Sequence, residues 1–423
     1  MTLERAPTDD RLPVLDGIRG LAIFMIMQYH FWGLGFGFVG VEPRRRIDRL
    51  AFGVREIGWT SVDLFFVLSG FLITGILIDA KARSAHYFRN FYARRFLRIF
   101  PLYYLFLGIV LTLGAFAGTR AAFAQFQELR AQQVWYWTYL VNVRASVAAV
   151  HGHIPIVYSH FWTLAVEEQF YLVWPFVVLA LDRRALQVLC VAMIVGALCL
   201  RIAMVQGVFA GYLYENAAHV LAPARMDALA LGGFVALAAR GPGEIARLAR
   251  LTPPVIAACI TGLAGIALWR GGLRLFDPVS LTLGFTLVGF LWAAVLVRAI
   301  TGPSSALVSR VLGSRFLAMF GRYSYCMYIV HVLVGFTTAV LCIRLGLVRP
   351  VLGSQLPFDL ALCALATIVC LLIAVLSWHL FEKQFLRLKT FFPYERGVVT
   401  STPAYADSAD VAGAADRRPA HSR

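Results

Sequence analysis

Long apolar segments recur along the chain and are separated by shorter polar segments that hold most of the Lys and Arg. Ten apolar segments are close to the roughly 20 residues that cross about 30 Å of hydrocarbon. They lie at 14–38, 58–79, 99–119, 162–181, 185–205, 224–240, 253–269, 279–298, 323–343 and 358–380. The pattern predicts an all-α polytopic membrane protein, a bundle of about ten transmembrane helices.

The segment 134–148 is shorter than these ten and rich in Trp and Tyr. If it does not cross, the inner loops hold 24 Lys and Arg and the outer loops hold 12. Both termini then lie in the cytoplasm, and the positive-inside rule is satisfied. A full crossing would instead place the basic loops 240–252 and 298–322 outside. We therefore expect 134–148 to be interfacial or re-entrant, alternatives that the sequence leaves open.

Composition supports a membrane protein, since 60% of residues are hydrophobic, 15% are charged and the mean hydropathy is +0.72. Soluble domains have about 25% charged residues. The net charge is +16, but Lys and Arg lie in short clusters between apolar segments. We therefore expect contacts with anionic membrane lipid and none with nucleic acid. The seven cysteines lie in apolar segments without metal-ligand spacing, so no metal site is predicted.

Three regions follow from the pattern. We expect a cytoplasmic N-terminal segment at 1–13 without a cleavable signal, a transmembrane domain at 14–392, and a disordered cytoplasmic tail at 393–423. The expected location is the plasma (inner) membrane. The outer loop 43–49 is rich in Arg, and it either contacts lipid phosphates or docks an anionic acceptor.

Ionisable side chains within membrane spans are costly and mark candidate functional sites. Arg19 and His30 are eleven residues apart in the first span, which puts them on one helix face roughly 16 Å apart along the axis. They cannot pair directly, but the spacing suits a long ligand. The guanidinium can hold a phosphate, and the imidazole can act as general base on a hydroxyl.

Other polar residues recur at the later spans. Asp63 and Ser69 lie in the second, and Arg94 and Arg98 share a helix face before Pro101, which is expected to mark the start of the third. Arg95 is interpreted as an anchor. Glu167 and Glu168 are adjacent in the fourth span and point about 100° apart, so at most one need face the polar interior; either can orient an imidazole or pair with Arg19 or Arg225. Three further candidates, Ser324, Tyr328 and His331, follow helical spacing on one stripe.

Taken in order, six segments resemble the integral-membrane acyltransferase-3 family, whose members transfer acyl groups from acyl-CoA to hydroxyls of sugars and related acceptors. The matching segments are LDGIRGLAIFMIMQYH, SVDLFFVLSGFLI, FYARRFLRIFPLYY, FWTLAVEEQFYLVWP, RMDALALGG and GRYSYCMYIVH. The resemblance implies about ten helices, acyl-CoA as a cytoplasmic co-substrate, no permanently bound cofactor, and His30 as a catalytic residue. Arg19 matches the basic partner of the family's Arg-to-His element.

The other candidates lie within the matching segments. Glu167 and Glu168 join His30 as catalytic candidates. The donor- and substrate-binding candidates are Asp16, Arg19, Asp63, Ser69, Arg94, Arg98, Trp162, Arg225, Asp227, Ser324, Tyr325, Tyr328 and His331.

These residues together suggest one mechanism. The CoA phosphates bind Arg19, Arg94 and Arg98, and the acetyl or other short acyl arm reaches toward His30. This imidazole, oriented by a glutamate, deprotonates a hydroxyl of a sugar, polysaccharide or lipid-linked glycan. Two rival interpretations are a multispan transporter or flippase of an envelope glycan precursor, and a catalytically silent partner subunit.

Overall fold

The structure, a computed structural model, describes residues 13–39, 45–116, 124–146, 156–208, 214–303 and 305–394. Nine helices within these ranges are long and apolar enough to cross a membrane. The N-terminal helix, Pro13–Val39, has 27 residues and is also of crossing length. Apart from a single isolated bridge between Val351 and Ser354, no β-structure occurs in the described part of the chain. The predicted all-α membrane architecture is confirmed.

The helices are numbered here in chain order. They are α1 (Pro13–Val39), α2 (Arg46–Glu56), α3 (Ser61–Arg83), α4 (Tyr87–Phe116), α5 (Ala124–Ala131), α6 (Gln133–Trp137), α7 (Val141–Ser146), α8 (Trp162–Ala180), α9 (Arg183–Val205), α10 (Tyr214–Val220), α11 (Ala222–Ala238), α12 (Glu244–Arg270), α13 (Phe285–Thr301), α14 (Leu307–Leu312), α15 (Arg315–Arg344), α16 (Leu356–Ser377) and α17 (Lys383–Arg387). Each of the ten predicted crossings coincides with one long helix.

Two predictions about local structure are resolved. The part of 134–148 that is described forms the short helices α6 and α7, of five and six residues, and neither can cross a bilayer. Pro101 does not mark a helix start: α4 begins at Tyr87, so Pro101 lies inside it. The arginine-rich stretch before Pro101 is therefore part of the same rigid helix. The expectations for 1–12 and 395–423 lie outside the described residues.

Hydrogen bonds connect both ends of α3 to neighbouring helices. Lys81 at the end of α3 donates to the carbonyls of Val178 and Leu181 at the end of α8, both at 2.9 Å. At the opposite end, the indole of Trp292 donates to the Thr60 carbonyl at 2.8 Å. We call the end where α1 and α15 begin, and α16 finishes, the basic end.

Glycines bring two helix pairs into backbone contact. A Cβ built at Gly321 of α15 overlaps the Asp16 carbonyl of α1, and one at Gly20 overlaps the Leu317 carbonyl. Gly70 of α3 and Gly232 of α11 meet the partner backbone in the same way. Lipid tails are as apolar as side chains, so helices in a bilayer associate through close packing of this kind. The pairs α1–α15 and α3–α11 are the tight seams of the fold.

Replacing Gly321 with Ala should push α1 and α15 apart. The expected cost is about 1–3 kcal/mol, as for other overpacked interiors. Thermal melting of detergent-purified protein, followed by size-exclusion chromatography, measures it. Gly196→Ala in α9 is the matched control, because a Cβ there meets nothing within 4 Å. Equal melting of the two variants would contradict the packing argument.

Candidate active site

A cavity of about 460 Å³ lies between α1, α3, α4, α8, α15 and the segment after α17. Its part nearest the basic end is lined by one carboxylate, Asp16, and by five cations: Arg19, Arg94, Arg95, Arg98 and Lys389. Asp16 accepts a hydrogen bond from Arg19 at 2.7 Å. Arg95, interpreted from sequence as an anchor, is thus part of the cavity wall, where its guanidinium lies 4.8 Å from the centre of the Tyr171 ring. The excess of positive charge suits an anionic ligand.

The segment after α17 crosses the mouth of this cavity. Arg94 donates from one nitrogen to the carbonyls of Lys389 and Phe392, each at 3.1 Å, and its guanidinium lies 5.0 Å from the centre of the Tyr394 ring. Burial raises the pKa of the Tyr394 phenol, so this ring stays neutral beside the arginines. Arg94, predicted to bind phosphate, therefore holds the segment after α17 against α4 at the mouth of the cavity.

The inner wall carries neutral polar groups and one carboxylate. Ser69 is hydrogen-bonded to Tyr171, and Thr163 to Tyr328. Two further side chains bond to backbone carbonyls, Tyr325 to Ile99 at 2.5 Å and Ser324 to Gly321 at 2.9 Å. The remaining group is Glu167, which also lines the cavity. Two residues of the stripe on α15, Ser324 and Tyr328, therefore line this cavity, and the third, His331, does not.

Beyond this wall lies a chain of two imidazoles. Nδ1 of His30 is 3.0 Å from Nε2 of His331, and Nδ1 of His331 is 2.7 Å from the Tyr328 carbonyl oxygen. A carbonyl only accepts, so in the neutral rings His331 carries its proton on Nδ1. Its Nε2 must then accept from His30. This pattern of hydrogen bonds leaves Nε2 of His30 unprotonated, as a general base requires.

The position beside His30 that a glutamate was expected to fill is occupied by His331. Glu168 does not line the cavity; it lies behind the wall, with one carboxylate oxygen buried and without a hydrogen-bond partner. Adjacent residues on a helix point in different directions, and here only Glu167 faces the cavity. In the described structure neither glutamate is bonded to an imidazole, and Arg19 and Arg225 pair instead with Asp16 and Asp63.

A third histidine, His160, was missed by the sequence analysis. It lies at the end of the 3₁₀ turn Ile156–Phe161, just before α8. Its ring centre is 4.8 Å from that of His331, and neither ring nitrogen has a hydrogen-bond partner. The hydroxyl of Tyr328 donates to its carbonyl at 2.6 Å. No group of three or more potential ligands in the described ranges is placed to hold a metal ion.

A second cluster does not line the cavity. It contains Arg201 and four of the predicted residues: Asp63, Trp162, Arg225 and Asp227. Arg225 donates to Asp63 at 2.8 Å, and Asp227 accepts from Arg201 at 2.7 Å. All four charged side chains are at most 1% exposed. Trp162 packs on the edge of this cluster, with the Arg225 guanidinium 5.8 Å from the centre of its ring. Asp63, Arg225 and Asp227 were candidates from the sequence, but Arg201 was not. With Arg201, the cluster holds two arginines and two aspartates, so that its formal charges cancel.

Comparison with known proteins decides the family. A family model described as an acyltransferase domain matches residues 12–375. The chain belongs to this acyltransferase family. No solved structure matches it significantly.

Several curated relatives are similar to this acyltransferase. The putative peptidoglycan O-acetyltransferase YrhL of Bacillus subtilis is 28% identical over 92% of the chain and 56% of its own length. O-acetyltransferase OatA of Staphylococcus aureus is 26% identical over 78% of the chain and 51% of its own length. Peptidoglycan O-acetyltransferase OatA of Listeria monocytogenes is 30% identical over 39% of the chain and 24% of its own length. The chain spans about half the length of the relatives matched most fully.

Removing Arg201 should destabilise the acyltransferase, because Asp227 would be left buried and unpaired. We expect Arg201→Met to cost about 3–5 kcal/mol. The control is Arg240→Met, whose partner Asp79 is 53% exposed, and we expect it to cost about 1 kcal/mol or less. Thermal melting in detergent compares them. If both variants melt alike, the buried cluster does not stabilise the bundle.

Proposed function

We propose that this acyltransferase moves an acetyl or other short acyl group from cytoplasmic acyl-CoA to a hydroxyl of a cell-envelope sugar polymer, with His30 as general base. The observation that carries this proposal is the continuity of the site. A cationic mouth leads to a polar wall, and the wall adjoins the His30–His331 pair. The basic end faces the cytoplasm in this proposal, in agreement with the excess of Lys and Arg on that side.

The charges that line the cavity support acyl-CoA as the donor. The phosphates of CoA lie against Arg19 and Arg98, whose planar guanidinium groups match phosphate oxygens. The uncharged pantetheine arm and the acyl group extend along the inner wall. Ile26 and Tyr328 line the far part of the cavity, one turn from His30 and three residues from His331 respectively. The thioester therefore approaches the imidazole pair when the arm is extended.

In the proposed transfer, His30 acts first as a base and then as an acid. Nε2 of His30 takes the proton of the acceptor hydroxyl while the oxygen attacks the thioester carbonyl. The new C–O bond forms, the C–S bond breaks, and the CoA thiolate takes the proton back from the imidazolium. His331 acts as a positioning residue: by accepting from Nδ1 of His30, it fixes the tautomer and stabilises the cation.

Peptidoglycan is the acceptor that we propose, because the names of the Listeria and Bacillus relatives give it as theirs. His30 lies in the half of α1 that is farther from the basic end, so the acceptor approaches from the opposite side of the membrane. Donor and acceptor thus meet within the bundle.

Replacing His30 with Ala should lower acetyl transfer by about 10²–10⁴-fold, the usual contribution of a general base. His331→Leu should lower kcat and leave the KM for acetyl-CoA unchanged. His331→Gln should recover part of the rate, because its amide oxygen can accept the same hydrogen bond. The assay is transfer of labelled acetyl from acetyl-CoA to peptidoglycan fragments in proteoliposomes.

The control for the histidine series is His379→Ala, which changes an exposed imidazole outside the cavity. Full activity of His30→Ala would exclude its role as base. If Gln and Leu at position 331 behave alike, the hydrogen bond from His30 is unimportant. Label in other glycans but not in peptidoglycan would refute the acceptor alone.

Binding of acetyl-CoA to protein in nanodiscs tests the donor separately. Arg19→Ala and Arg98→Ala should each weaken binding about tenfold or more, the worth of one hydrogen bond to a charged group. Arg240→Ala is the control, since Arg240 is at the basic end but outside the cavity. Equal affinity in all variants would rule out phosphate binding at this mouth.

A further inference from the structure

A second cavity, of about 540 Å³, adjoins the first at the basic end. The two share Asp16, Arg19 and Arg98 in their linings. The rest of the second lining comes from the beginning of α15 and from the residue after α16: Arg315, Ala318, Met319, Gly321, Arg322, Tyr323 and Trp378. An extended ligand can therefore occupy both cavities and pass the shared arginines in between.

The second cavity is strongly cationic. Four guanidinium groups line it, those of Arg19, Arg98, Arg315 and Arg322, against the single carboxylate of Asp16. Arg315 and Arg322 are two turns apart on α15, so both point to the same side of the helix. Because guanidinium groups outnumber carboxylates in this lining, it suits a ligand with more than one negative charge.

The second cavity also presents flat surfaces. The Arg322 guanidinium lies 5.3 Å from the centre of the Trp378 ring and 5.6 Å from that of Tyr323. The indole nitrogen of Trp378 is buried without a hydrogen-bond partner. Aromatic rings and guanidinium planes stack on planar bases. Lipid headgroups offer phosphates but no such ring, so a nucleotide suits the lining better.

We propose that this second cavity binds the adenosine 3′-phosphate end of the CoA donor, while the diphosphate lies at the shared arginines and the pantetheine arm enters the first cavity. The proposal rests on the proposed function. It makes the second cavity the element that selects CoA thioesters over shorter thioesters that lack the nucleotide.

The test compares acetyl-CoA with S-acetyl-4′-phosphopantetheine, which has the arm and one phosphate but no adenosine. Wild-type protein in nanodiscs of neutral lipid should have a KM at least about tenfold lower for acetyl-CoA. Arg315→Ala and Arg322→Ala should bring the two KM values together by raising only that of acetyl-CoA. Adenosine 3′,5′-bisphosphate should compete with acetyl-CoA in wild type and not in these variants.

Arg310→Ala is the matched control, because Arg310 is exposed on the neighbouring α14 and lines neither cavity. The proposal is overturned if the variants raise both KM values equally, or if they act only when anionic lipid is present, which would indicate a lipid site. If wild type uses neither thioester, the proposed donor is wrong. Saturable binding of adenosine 3′,5′-bisphosphate that Arg315→Ala abolishes would still support a nucleotide site, and its absence would refute one.

Discussion

Compensation of charge inside an apolar bundle is the constraint on which this structure depends. A guanidinium or carboxylate within a membrane domain is tolerated only when it is paired, hydrogen-bonded or in contact with an aqueous cavity. Arg201 and Arg225 meet the first condition through Asp227 and Asp63. The arginines at the basic end meet the last, because they line cavities. The same residue type therefore has two roles, and its surroundings separate them.

The site changes character from its mouth to its centre. Cations dominate where a charged donor would enter, hydroxyl pairs follow, and the imidazoles lie deepest. Thr163 and Tyr328, which are hydrogen-bonded to each other, form the part of the wall next to the histidines. In the proposed reaction, the acyl arm passes this pair to reach His30. Positive charge thus dominates at the entrance, whereas His331 at the centre is fully buried, where electrostatic contacts are stronger.

The crossings were predictable because each depends only on local hydropathy. The placement of Arg19 and His30 on one helix face was predictable because it depends on their spacing along the chain. The partners of the polar groups were not. His30 bonds to a residue 301 positions away and Arg225 to one 162 away, contacts that leave no trace in short-range spacing. His160 and Arg201 were missed for the same reason. The predicted start of α4 was wrong because proline is tolerated inside a membrane helix, and Pro101 lies inside this one.

The glycine contacts restrict which helices can move relative to each other. α1 and α15 touch backbone to backbone, as do α3 and α11, so neither pair can open without losing its closest contacts. The first cavity is lined by α1 and α15 of one pair and by α3 of the other. A bulky ligand would therefore be accommodated more easily by movement of one pair relative to the other than by separation of the helices within a pair. The close contact between α1 and α15 keeps Arg19 and the α15 polar stripe in fixed register during such motion.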